Sequence, residues 1–347
     1  MNRFATLQEG ERREFFIRYQ QTSGVQPAVV EKDFWVCWLL GLIFQTPELG
    51  GNALFKGGTS LSKVFNVINR FSEDIDLGIS PASLGFPEDG LDNAPSKTVR
   101  EKRIAALNAK CARDVEHRFM PVLEKIIRGQ LGAKAGAPAW LRYELDAPSH
   151  SPVVYFDYPA TPIGRLAYIK PSVKIEFGAL TDQRPTGRHP IVPFIAALVP
   201  DVFVDFRVEV VALEIERTFW EKATILHAEF HRPAEKPIPA RYARHYSDFA
   251  ALWNHPLGAK CARHLDLLER VCVHKNRFFK NAWSRYETAR PGTLRLLPPE
   301  TRHGELRRDY ALMLQMFMNA PPPFEDILQT LIAAETSINR SQPSANK

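Results

Sequence analysis

The stretch Phe55-Lys-Gly-Gly-Thr-Ser-Leu-Ser-Lys63, followed by Arg70-Phe-Ser-Glu-Asp-Ile-Asp-Leu77, constrains this chain more than any other part of it. Ile75, Leu77 and Ile79 alternate with Asp74 and Asp76. That is the period of a half-buried strand, so the pattern predicts a strand over 71–79 with both carboxylates on its non-core face. Like charges side by side on a strand repel each other unless a cation lies between them. Mg²⁺ suits such a pair, because it is commonly held by one or two carboxylates together with substrate phosphates. The glycines upstream let backbone N–H groups approach a polyphosphate closely. The segment lacks the second glycine of a GxxxxGK[ST] loop, so it is not a P-loop. These parts together point to phosphoryl or nucleotidyl transfer.

The 347 residues suffice for one large or two ordinary domains, and 45% hydrophobic with 24% charged residues is ordinary for a globular protein with a proper core. The longest apolar run, Trp35 to Phe44, is too short for a membrane span and reads as a buried helix. The N-terminal residues Arg3, Glu9, Glu11 and Arg12 do not resemble a signal peptide. Cys37, Cys111, Cys261 and Cys272 show no paired spacing, which fits a reducing cytoplasm rather than a disulfide or zinc framework. Net charge is +6, but residues 241–308 hold fourteen Lys or Arg against six Asp or Glu, a surplus of +8 that leaves 6 − 8 = −2 elsewhere. Such a basic C-terminal half suggests a nucleic-acid-facing surface, or simply a solvated helical face.

Periodicity predicts a buried helix over 28–45 that presents Glu31, Lys32 and Asp33 in its first turns. A glycine turn at 57–58 leads to a helix from Ser60 to about Asn69, and the carboxylate strand at 71–79 follows. Residues 81–96 read as loop, 97–130 as one long basic amphipathic helix, and 140–158 and 165–178 as strand segments. Residues 179–200 are rich in proline and read as loop, with a strand at 202–211 and a helix near 214–230. Beyond the Pro233–Pro239 linker the pattern is helical up to a polar tail after Ser337.

Val173, Ile175 and Phe177 share one face of the second strand, and Lys174 and Glu176 share the other. If that strand neighbours the first, Glu176 becomes a third carboxylate, for a two-metal site or for taking the proton of an attacking hydroxyl. Lys174 would then counter phosphate charge, although a plain surface Lys–Glu pair is the other reading. Lys222 falls on the apolar stripe of Ile215, Phe219 and Leu226, where lysine is rarely placed without a partner. It either binds a triphosphate as a point charge or snorkels to water. Asp248 stands one turn after Arg244, for a local ion pair or to orient Lys222. His227 and His231 at i and i+4 could hold a metal, but Glu229 is one position off the metalloprotease pattern. Tyr242, Tyr246, Phe249 and Trp253 read as core, with base stacking the lesser alternative.

With these four blocks in view, residues 28–255 resemble the AbiEii/AbiGii-type nucleotidyltransferases, toxins of type IV toxin–antitoxin systems in the DNA polymerase β-like superfamily. Gly57-Gly58-Thr59-Ser60 with Ser72, Asp74 and Asp76 is similar to the first family block, Lys174-Ile-Glu176 to the second, Glu216 to Lys222 to the third, and Arg244 to Asp248 to the fourth. The resemblance implies an α+β fold, with a polymerase β-like core of mixed sheet flanked by helices and then a helical C-terminal domain. It places the core at 1–205, with a helical insertion near 97–130, and the second domain at 206–347, which contributes Lys222 and Asp248 to the cleft. By the same resemblance Asp74, Asp76 and Glu176 hold Mg²⁺ or Mn²⁺. Gly57, Gly58, Thr59, Ser60, Ser72, Lys174 and Lys222 bind the nucleoside triphosphate, and Lys222 and Asp248 join the carboxylates in catalysis. An RNA acceptor such as a tRNA 3′ end, a cognate antitoxin protein, and a cytoplasmic role in abortive infection against phage are implied too. Nucleotidylation of a protein, a kinase-type reaction at the same site, and a nucleotide-binding regulatory module without turnover are the competing readings.

Overall fold

Alternation of apolar residues builds the strands, and the order in which they pair decides where the carboxylates lie. In chain order they are β1 (Ala53–Lys56), β2 (Ile75–Ile79), β3 (Leu141–Leu145), β4 (Pro152–Phe156), β5 (Val173–Gly178), β6 (Thr186–Ile191) and β7 (Val208–Leu213). They form one seven-stranded sheet in the order β3-β4-β5-β2-β1-β7-β6. The β2/β5 and β1/β7 pairs are parallel and the rest antiparallel, so the sheet is mixed. This computed structural model describes residues 1–87, 91, 93–147, 149–163, 170–198 and 204–341.

The chain divides into two units, Met1–Val64 with Ser72–Leu213, and Phe65–Phe71 with Glu214–Lys347. The first holds the whole sheet. Because β7 pairs with β1 and β6, this unit runs past residue 205 to Leu213. The second unit is built from helices, chief among them Ile215–Phe230, Ala243–Asn254, Leu265–Phe278, Glu300–Met313 and Phe324–Arg340. The architecture is therefore the expected α+β arrangement of a mixed sheet with flanking helices and a helical C-terminal region.

Proline at its first position starts the Pro27–Gln45 helix, which is buried from Val29 through Ile43 and packs on β5 and β7. A helix apolar on every side belongs in a core. Trp35 and Trp38 meet at 5.3 Å edge to face, and both reach Phe156 on β4, at 5.9 and 5.6 Å. Each fully buried ring of this size contributes roughly 1.5–3 kcal/mol by burial alone.

Several boundaries differ from the sequence expectation. The glycines do not precede the following helix in a separate turn; they open it, and it spans only Gly57–Lys63. Strand pairing begins at Ile75, so Asp74 is the last residue before β2 rather than a member of it. The 97–130 segment is interrupted: helix Lys97–Asp114, a π-helical stretch Val115–Phe119, then helix Met120–Leu131. Pro121, which has no N–H to donate, accounts for the break in the hydrogen-bond ladder. The strand expected at 202–211 is observed as β7 at Val208–Leu213. The expected residues 165–169, 201–203 and parts of the loops at 81–96 and 179–200 lie outside the described residues. The last helix continues through Ser337 to Arg340. No helix among the described residues is long and apolar enough to cross a membrane.

Candidate functional site

Asp76 on β2 lies directly opposite Glu176 on β5 and opposite Lys56 on β1. Residues paired across neighbouring strands share a face, so the second strand brings its carboxylate to the first. That was the condition set by the sequence, and the parallel β2/β5 pairing meets it. Two residues upstream, Lys174 on β5 bonds Glu176 as an ion pair. The pair that the simpler reading of Lys174 and Glu176 expected is therefore formed.

Half-buried Asp74 carries the electrostatic cost of this arrangement. Burial raises its carboxyl to about 6, and the charges of Glu73, Glu176 and Asp76 add to that, while Lys174 opposes them. Anionic crowding of this kind calls for a cation. Gly57 supplies the backbone freedom that lets Asp76 come close. Its φ is +82°, and a Cβ there would fall 1.9 Å from Asp76 Oδ2. Only glycine fits this position.

The hydroxyls of the glycine helix are engaged within the loop itself. Thr59 is buried, and its Oγ1 bonds Ser72 Oγ at 3.0 Å and donates to the Asp74 carbonyl. Ser60, also buried, donates to the Gly57 carbonyl at 2.9 Å. Both side chains are spent on shaping the loop. Ser72 is half-buried in contact with Thr59.

The charged first turns of the Pro27–Gln45 helix explain how the loop is held. Lys32, buried, pairs with Glu73 and donates to the Lys170 carbonyl at 3.2 Å. Asp33 accepts from Lys63 Nζ and from the Phe194 N–H, each at 2.7 Å. Glu31 accepts from the Thr161 N–H at 2.8 Å, and burial raises its carboxyl to about 7. The Lys63–Asp33 and Lys32–Glu73 pairs therefore tie the chain to this helix just after the glycine helix and just before Asp74.

In the second unit, the apolar stripe of the Ile215–Phe230 helix is buried as its spacing predicts, with Lys222 only 8% exposed in its midst. Phe219 packs on Phe249 at 5.0 Å and sets this helix against Ala243–Asn254. Lys222 does not snorkel. Its Nζ reaches Asp248 Oδ2 at 2.7 Å and His245 Nδ1 at 3.2 Å. Asp248 is 1% exposed, and its two oxygens also accept from Nε and Nη2 of buried Arg70, each at 2.8 Å. The local pair with Arg244 is not formed; Arg70 and Lys222 take its place. Burial works against the charge of Asp248, yet these two cations hold its carboxyl well below the usual carboxylate range. Burial lowers the Lys222 amine and Asp248 opposes that shift, while His245 is pushed far down, into its neutral form.

Arg70 and His245 had no role in the sequence reading. Their signal was slight: Arg70 stood within the quoted motif, two residues before Ser72, and His245 within the fourth block. The remaining candidates are structural. His227 accepts at Nδ1 from the Arg295 N–H at 3.0 Å, and its Nε2 faces the Arg285 carbonyl at 3.1 Å, so both ring nitrogens are committed. Tyr246 and Phe249 are core residues.

Among the described residues no three His, Cys, Asp or Glu side chains are already gathered as a metal centre. The donor set nevertheless suits a hard cation: carboxylate oxygens from Asp74, Asp76 and Glu176, with Asp74 held against its own repulsion.

The family model described as nucleotidyl transferase AbiEii toxin, type IV toxin–antitoxin system, matches residues 38–330. Among solved structures, the chain is similar to MenT4, a nucleotidyltransferase toxin of Mycobacterium tuberculosis H37Rv, at 14% identity and a TM-score of 0.36, covering 87% of this chain and 98% of that one. None of the curated proteins matches the chain. The family match spans both charged clusters, and with it come a nucleoside triphosphate substrate and an antitoxin partner. This chain belongs to the AbiEii family of nucleotidyltransferase toxins of type IV toxin–antitoxin systems.

Proposed function

We propose that the chain transfers a nucleotidyl group from a nucleoside triphosphate to the 3′ end of an RNA, a tRNA in the first instance, with a divalent metal ion, Mg²⁺ or Mn²⁺. Asp74 and Asp76 hold the metal. Glu176 is a third ligand or takes the proton of the attacking hydroxyl. When bound, the metal supplies charge stabilisation to the phosphate oxygens. The acceptor hydroxyl attacks the α-phosphorus, the bond to the bridging oxygen breaks, and pyrophosphate leaves.

The backbone N–H groups of Gly57 and Gly58, with Lys174, counter the triphosphate charge, and Thr59 and Ser60 act by fixing the loop; Lys222 of the second unit keeps the nucleotide-binding role that the family resemblance implies for it. Asp248 holds Lys222 in one orientation. Catalysis of this kind rests on positioning and electrostatics rather than on a covalent intermediate. The observation that carries the reading is the register that pairs Asp76 with Glu176 beside the strained charge of Asp74.

The charge pattern supports a nucleic acid less simply than the sequence suggested. Within 241–308, Lys260, Arg295 and Arg307 are tied to Glu216, Glu335 and Glu325, which lie outside that window. On the Lys97–Asp114 and Met120–Leu131 helices, by contrast, Lys102, Lys110, Arg113 and Lys125 are exposed.

The test is incubation of the full chain with total RNA, Mg²⁺ and NTP labelled at the α or the γ phosphate. Label entering RNA from the α position only, and lost by at least about a hundredfold in Asp74→Ala, is the expected result. Label from the γ position would make the enzyme a kinase. Label that survives ribonuclease would make the acceptor a protein.

A further inference from the structure

Residues 97–131 hold nine Lys or Arg against four Asp or Glu, and all four carboxylates are engaged. Glu101 lies 3.8 Å from Lys97, and Glu116 lies 3.8 Å from His117. Asp114 accepts from Nε and Nη2 of Arg118. Glu124 accepts from Arg128 and from the backbone N–H groups of Trp140 and Leu141. Lys102, Lys110, Arg113 and Lys125 are exposed, and their side chains form no ion pair or hydrogen bond among the described residues.

Three of these four share one side of a helix. Lys102, Ala106, Ala109, Lys110 and Arg113 stand at i, i+4, i+7, i+8 and i+11, a single stripe of the Lys97–Asp114 helix. All five are exposed, while Leu107 and Cys111 on the opposite side are buried. From Lys102 to Arg113 the stripe runs about 16 Å along the helix axis. Between its cations it carries only alanine, so neither bulk nor negative charge stands over it. The helix packs on β5, and Phe119 of the π-helical stretch that follows it meets Phe177 at 4.8 Å. Phe177 belongs to the face of β5 opposite Glu176, so the stripe is turned away from the carboxylates.

The side chains decide what such a surface can take. A membrane-binding helix sets large apolar residues beside its basic ones, and none of the exposed large hydrophobic side chains lies in 97–131. Protein interfaces concentrate aromatic residues and are poor in lysine and alanine. A phosphate backbone asks only for unpaired positive charge along a bare surface, and it gains from the counterions released. We infer that the Lys102–Arg113 stripe is a docking surface for the phosphate backbone of the acceptor RNA, remote from the reacting 3′ end. Naming that RNA as the acceptor rests on the nucleotidyl-transfer reading, whereas the stripe's affinity for it is measured without transfer. The nucleic-acid surface then lies on the first unit rather than in the basic 241–308 window.

The experiment uses the full chain in four forms: wild type, Lys102→Gln/Lys110→Gln/Arg113→Gln, the charge-keeping Lys102→Arg/Lys110→Arg/Arg113→Lys, and Arg241→Gln/Arg263→Gln/Arg290→Gln. The last removes equal charge from exposed positions of the second unit. Thermal unfolding checks that all four fold. Binding of total tRNA is followed by filter retention without NTP, across a salt series. The first triple variant should bind at least about tenfold more weakly, with a log–log salt slope shallower by about 2, while the other two variants stay within about twofold of wild type. In label transfer it should raise the KM for RNA and leave kcat within about threefold, because the stripe is turned away from the carboxylates. Unchanged RNA affinity in that variant, or an equal loss in the second-unit variant, would overturn the inference. So would a variant that keeps its RNA affinity but no longer binds phosphatidylserine vesicles or the antitoxin. A wild type that binds RNA through the stripe yet transfers no label keeps this surface and sinks the nucleotidyl-transfer reading instead.

Discussion

In the first unit the charges of Glu73, Asp76 and Glu176 bear on Asp74, whereas in the second unit Asp248 faces Arg70 and Lys222. Lys32 and Lys174 pair with Glu73 and Glu176, and the Asp74 carboxyl is still raised to about 6. Asp248 is shifted the opposite way, held ionised by two buried donors. One cluster is short of positive charge and the other has its single anion saturated. On the proposed function, the contrast separates two tasks. A site that must admit a cation keeps its carboxylates under strain, and a site that must hold a lysine still gives it a carboxylate it cannot leave.

The comparison breaks most visibly at Asp248. Asp248→Ala leaves Arg70 and Lys222 buried without a counter-ion, and loss of one partner of a buried pair costs about 3–5 kcal/mol. Chemical denaturation of the full chain should show that loss, with the transition of the second unit moving to lower denaturant. A change below about 1 kcal/mol would mean the pair is not buried as described.

At Asp74 the sign reverses. A carboxyl raised by burial and repulsion destabilises the fold wherever it is ionised, so its favourable contribution is present at low pH and is lost as pH climbs from about 4 toward about 6. Asp74→Asn removes that charge at nearly constant shape. In the absence of divalent metal at pH 7.5, it should gain about 1 kcal/mol by the same denaturation measurement, a figure kept small because the side chain is only half-buried. Destabilisation by that substitution would show that Asp74 is already neutralised within the protein.

Much of this was legible in the residues. Alternation of Ile75, Leu77 and Ile79, and of Val173, Ile175 and Phe177, gave both carboxylate strands their faces. The stripe of Ile215, Phe219 and Leu226 showed that Lys222 points inward. Pairing between distant strands is not a local property, so the Asp76–Glu176 register could be stated only as a condition. Strand β6 was read as loop because Pro190 stands within it, but β6 is an edge strand, where a missing N–H leaves no ladder bond unmade. Arg70 was hidden for another reason. Nothing near it in sequence requires a partner 178 positions away. In the glycine helix, the spacing gave no sign that the buried Thr59 and Ser60 hydroxyls bond the Asp74 and Gly57 carbonyls, because those contacts depend on how the loop folds back.

The central claim is that the carboxylate face of the sheet takes a divalent cation together with nucleotide. Mn²⁺ titration of the full chain with a non-hydrolysable NTP analogue, read by electron paramagnetic resonance, tests it most directly. Wild type should bind Mn²⁺, with affinity at least about tenfold weaker in Asp74→Asn and in Asp76→Asn, the loss expected for one ligand in a charge-assisted site. Equal Mn²⁺ affinity in all three proteins would contradict the account.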